Sequence, residues 1–73
     1  MKSILQFSAW REDGMYVAAS AHLPIATEGT TFEELQANIR DAADTYFDGE
    51  DIAALGFAQS PAILISLEIA TRL

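Results

Sequence analysis

The chain has no cysteine and a single histidine, His22. That removes disulfides and thiolate- or imidazole-rich metal centres from the devices that commonly staple a small fold. Apolar stretches are short. None approaches the roughly 20 residues of a bilayer span, and the opening Met1-Lys2-Ser3-Ile4-Leu5-Gln6-Phe7 lacks the apolar stretch and small-residue cleavage site of a secretory leader, so a cytoplasmic location is expected. Positive charge is scarce too. Lys2, Arg11, Arg40 and Arg72 stand against eleven acidic residues, for a formal net charge of −7. This balance opposes phosphate backbones and anionic lipid, so neither direct nucleic-acid binding nor membrane attachment is expected. The negative charge serves solubility, and beyond that it suits a basic partner.

What is present is a hydrophobic fraction of 51%, too high for a disordered segment and spread along the chain. Residues 1 to 73 suffice for one compact domain, which at this size buries only about 60% of the surface of its unfolded chain. With disulfides and metal removed, self-association is the remaining route to extra stability, and a homodimer or higher homo-oligomer is expected.

Residues 3 to 10 alternate, with Leu5, Phe7 and Ala9 on one side and Gln6, Ser8 and Trp10 on the other, as in a half-buried strand. Glu12-Asp13-Gly14 signals a hairpin, and strand composition resumes at Met15-Tyr16-Val17-Ala18-Ala19. A three-residue loop of Glu12, Asp13 and Gly14 pairs Ala9 with Val17 and Phe7 with Ala19 on one face and Trp10 with Tyr16 on the other; it is preferred here to a two-residue turn. Leu23-Pro24 predicts a bend, and Ile25 to Glu28 a short strand.

Thr31-Phe32-Glu33-Glu34 has the form of a capping box and opens a helix. At about 100° per residue, Phe32, Leu35, Ile39, Ala42, Ala43 and Tyr46 share a stripe, with Glu33, Glu34, Ala37, Arg40, Asp41, Asp44 and Asp48 opposite. Gly49 predicts the end of the helix near Asp48. Residues 50 to 57 fit either a helical turn laying Ile52, Leu55 and Phe57 over a sheet edge or an apolar loop. After Ser60-Pro61, residues 62 to 70 alternate as a last strand, Ile63, Ile65, Leu67 and Ile69 on one side and Leu64, Ser66 and Glu68 on the other.

The expected fold is therefore α+β, a two-layer β-β-β-α-β unit in which one helix packs on a four-stranded sheet. A right-handed crossover through the helix places the last strand parallel to the first, giving order 4-1-2-3. One helix covers one sheet face. The other face carries Trp10, Tyr16 and Leu64, a candidate oligomer interface.

No catalytic constellation emerges, and the chain is expected not to be an enzyme. Asp44, Asp48, Glu50 and Asp51 cluster but match no EF-hand spacing, so no metal site is assigned. His22 near Ser20 lacks a nucleophile elbow, no glycine-rich phosphate loop suggests a cofactor, and Trp10 and Tyr16 lack the basic groove needed to hold a nucleic-acid strand. Carboxylates close to a helix C-terminus oppose its dipole. Plain solvation of a charged face accounts for Asp41, Asp44 and Asp48, and a binding face for a basic partner is the alternative.

Glu12-Asp13-Gly14, Tyr16-Val17-Ala18, the Leu23-Pro24 bend, Thr27-Glu28-Gly29-Thr30-Thr31, Glu33-Glu34-Leu35 and Asn38-Ile39 occur in an order that resembles the HicB-like family of small bacterial proteins. The family includes the antitoxins of HicA/HicB toxin–antitoxin systems. The likeness covers about half the chain, and its three strands, helix and strand agree with the fold read from the residues. It implies a domain that binds and masks a small basic HicA-type mRNA interferase. Two departures stand out: Pro24-Ile25-Ala26 replaces a Pro-Gly-Cys-like bend, and the sequence reaches Leu73 without the DNA-binding segment that many members append, so autorepression by this chain alone is not expected. The alternative is a solitary HicB-like oligomeric interaction module; a regulatory subunit of a metabolic complex is the enzyme-class reading.

Overall fold

A computed structural model describes residues 2–49, 54, 56–69 and 71, without the side chains of residues 2 and 58–60. Five elements follow in sequence: β1 (Lys2–Glu12), β2 (Met15–Ser20), β3 (Ala26–Gly29), α1 (Phe32–Phe47) and β4 (Phe57–Leu67). The strands form one mixed sheet in the order β3-β2-β1-β4, with β1–β2 and β2–β3 antiparallel and β1–β4 parallel. This is the α+β architecture and strand order expected from the sequence.

The odd positions of β1 bury Leu5, Phe7 and Ala9 beneath α1, which contributes Leu35, Ile39 and Ala43. Ala18, Ile25 and Phe57 complete the core. α1 begins where expected: the Glu34 N–H donates to Thr31 Oγ1 at 3.0 Å, a bond that satisfies one of the donors a helix start leaves open. The Glu34 carboxylate returns to Thr30, accepting from its N–H and from its hydroxyl at 3.1 Å each. Asp48 caps the other end and Gly49 follows at φ 75°, the left-handed geometry that glycine adopts at little cost.

The hairpin differs from expectation. Asp13 and Gly14 alone make the turn, at φ 52° and 79°, and Glu12 pairs with Met15, Arg11 with Tyr16, Trp10 with Val17 and Ala9 with Ala18. Two successive positive φ values match the right-handed twist of a hairpin, and Asp-Gly is among the best dipeptides for them. Shortening the loop by one residue reverses which side chains of β2 face inward. Tyr16, Ala18 and Ser20 thus join the helix side, while Val17 and Ala19 turn away from it.

β3 starts one residue later than expected, leaving Ile25 buried in the bend. The Ser20 hydroxyl shapes that bend by accepting from the N–H groups of His22 at 3.2 Å and Leu23 at 3.1 Å. β4 starts five residues earlier than expected and contains Pro61, with a register shift against β1 before Ala62. A proline is admissible here because β4 is an edge strand. Phe57, read from the sequence as part of a loop or turn, is a buried strand residue whose ring meets Phe47 edge-on at 5.8 Å between centroids. The undecided segment falls largely outside the described residues, Ile52 and Leu55 included.

Candidate functional site

Two surfaces present groups for binding, the outer side of α1 and the sheet face turned away from it. On α1, Glu33, Glu34, Ala37, Arg40, Asp41, Asp44 and Asp48 are all exposed, as the helical periodicity predicts. Asp41, Asp44 and Asp48 form no ion pair among the described residues, and the last turn of the helix holds no basic residue. The helix is tied to the sheet beside this surface by Asn38, whose Nδ2 donates to the Glu28 carbonyl at 2.7 Å. The outer side therefore stands on a fixed scaffold.

The open sheet face carries the even positions of β1 with Val17, Ala19, Ala62, Leu64 and Ser66 alongside. Leu64 and Ile4 are each 48% exposed, and Trp10 is half-buried with its indole N–H donating to Glu12 Oε2 at 3.4 Å. Trp10 and Leu64 thus occupy the face assigned to them. Tyr16 does not: its ring packs edge-on against Phe32 of α1 at 6.0 Å, and the Arg11 guanidinium lies over it at 4.9 Å. Its place among the interface residues is corrected by the two-residue turn, which sends it to the helix side. Val17 takes its place opposite Trp10. Ile4 was not singled out from the sequence, although it shares the even parity of Trp10 on the same strand.

The remaining candidates do not converge. His22 is exposed in the β2–β3 bend, and Ser20, its sequence neighbour, spends its hydroxyl on the backbone. Among the described residues no three histidine or carboxylate side chains gather closely enough to hold a metal ion; Glu50 and Asp51 of the acidic cluster lie outside them. Among the described residues, no helix is long and apolar enough to cross a membrane. No protein-family model matches the chain, and neither the curated proteins nor the solved structures yield a significant match.

Proposed function

We propose that the chain is a HicB-like protein-binding domain that masks a small basic RNA-cleaving toxin by occluding its surface, without chemistry of its own. The observation that carries this reading is the outer side of α1. Asp41, Asp44 and Asp48 are exposed there, unpaired among the described residues, with no basic residue in the last turn. Each carboxylate near the C-terminal end opposes the helix dipole by about 0.3–1 kcal/mol. A cationic partner laid against this side relieves that repulsion, and a net charge of −7 accelerates the encounter. The β-β-β-α-β order, the one implied by the family resemblance, supports the same reading.

The apolar open sheet face with Trp10 and Leu64 favours a second reading, a solitary oligomeric module of this type without a toxin. Co-expression with any small basic protein encoded beside the gene separates the two. A complex is expected, and changing Asp41, Asp44 and Asp48 to Asn removes three exposed contacts at about 0.5 kcal/mol each, roughly a tenfold loss of affinity by titration calorimetry. Absence of a basic neighbour or of any complex overturns the first reading. Unchanged affinity in the triple variant removes the acidic side from it.

A further inference from the structure

The outer edge of β4 from Pro61 to Leu67 is unlike the rest of this acidic surface. From Phe57 to Leu67 the strand has no charged residue. β4 is terminal in the sheet, so among the described residues no strand pairs with its outer side from Pro61 to Leu67. The alternation of the ladder fixes which groups lie there. The Glu68 N–H donates to the Ala9 carbonyl at 2.9 Å, directing even positions toward β1; the odd positions, Ile63, Ile65 and Leu67, therefore aim their N–H and C=O groups outward. Pro61 is also odd, so its missing N–H faces away from β1. Sheets usually shield such an edge with charge, proline, a short strand or a bulge. In β4 the proline and the register shift both precede Ala62, leaving Ala62 to Leu67 regular and uncharged, whereas β3, the opposite edge, is four residues long with an exposed Glu28.

The inner side of β4 is equally unfinished. α1 lies nearest β3 and β2, leaving Ile63 and Ile65 half-buried along a groove between the helix and β4 that is also lined by Leu5, Arg40 and Asp44.

We propose that β4 pairs antiparallel with β4 of a second copy of this chain, joining two sheets into one of eight strands about a twofold axis at Leu64. Charge selects a second copy. Two molecules of net charge −7 repel wherever carboxylates meet, and β4 is a strand along which self-pairing opposes no like charges, whereas a basic partner finds no carboxylate on it. Length selects the register. The ladder is regular from Ala62 to Leu67 and Pro61 limits it at one end, so overlap is greatest when Pro61 faces Leu67, Ala62 faces Ser66 and Ile63 faces Ile65 of the other copy. Leu64 then faces itself in a non-hydrogen-bonded pair, where Cα atoms approach to about 4.5 Å. Inner residues of one copy continue the inner row of the other. The half-covered isoleucines gain neighbours without movement of the helix.

The absence of cysteine makes the test clean. Leu64→Cys in the full chain is expected to form a disulfide-linked dimer under mild oxidation in native buffer, because the paired Cα atoms fall inside the limit of about 7 Å for such a bond. Ala37→Cys, on the exposed side of α1, is expected to stay monomeric on denaturing gels. By light scattering the unmodified chain should show twice its 7.9 kDa, and Ile65→Pro, which removes an outward N–H and no bond to β1, should return that mass to 7.9 kDa with its circular dichroism intact. A monomeric unmodified chain, or equal cross-linking of the two cysteine variants, overturns the proposal. So does a dimer that Trp10→Ser dissociates and Ile65→Pro leaves whole, since sheet stacking through the open face would then hold it.

Discussion

Gly29, at the end of β3, faces Tyr16 across the ladder and lies beneath the first turn of α1. A Cβ added there would stand 2.6 Å from the Leu35 backbone nitrogen, 3.0 Å from Leu35 Cα and 3.1 Å from the Glu34 carbonyl carbon. All three are backbone atoms, so no rotamer change relieves the overlap. The Leu35 N–H is held at 2.9 Å by the Thr31 carbonyl, and the Leu35 and Ile39 side chains are fully buried; backing the helix away would loosen its start or draw both out of the core. Overpacking of this kind costs about 1–3 kcal/mol, and a clash confined to backbone belongs at the upper end. At about 4–8 °C per kcal/mol for a domain this size, Gly29→Ala should melt roughly 15 °C below the parent. Gly14→Ala is the control: its added methyl meets nothing within 4 Å, and only the positive φ of 79° penalises it, by about 1–2 kcal/mol. Urea and thermal unfolding followed by circular dichroism compare the two. If Gly29→Ala is the milder change, or lies within about 1 kcal/mol of the parent, the close approach of helix and strand is not what makes this position require glycine.

The two aromatic residues first assigned to a common face should separate in stability. Tyr16→Ala loses the edge-on contact with Phe32 and the Arg11 stacking, about 2–3 kcal/mol, while Trp10→Ser on the open face should cost the monomer less than about 1 kcal/mol; equal losses in denaturant titration would refute the reversal of β2. Asp44→Asn removes a carboxylate from the C-terminal part of α1 and should stabilise the fold by about 0.3–1 kcal/mol at low ionic strength, with the gain shrinking in salt. A lowered melting temperature would mean that the Asp44 carboxylate has a structural partner.

The elements legible in the sequence were those whose cues are local. Leu5, Phe7 and Ala9 alternate with polar neighbours, Thr31 and Glu34 have capping-box spacing, and the stripe from Phe32 to Tyr46 follows the helical period; each reached its expected place. The hairpin failed because cross-strand face matching was weighed above backbone conformation. Trp10 and Tyr16 looked like partners, yet Asp13-Gly14 closes a two-residue turn readily, and Ala18 is small enough to be fully buried beneath the helix. The start of β4 was hidden by Pro61, which reads as a boundary until the strand is known to lie at an edge. Of the two candidate surfaces, the acidic side of α1 was fully legible from periodicity. The open face was legible on β1 and β4, where Trp10 and Leu64 lie, and lost on β2, where one residue of loop length decides every side chain.

The parallel pairing of β1 with β4 also orders events during folding. β1 meets β2 across two turn residues, but meets β4 only after the chain has passed through β3 and α1. Until then the strand that supplies Leu5, Phe7 and Ala9 is itself an open edge, and Phe57 is missing from the core. Closing so long a loop is slow compared with forming the hairpin. On a ribosome, the first half of this domain therefore emerges as an incomplete sheet whose β1 edge is open and whose far side also exposes Ile4 and Trp10, and that edge stays available for wrong pairing until the last strand arrives.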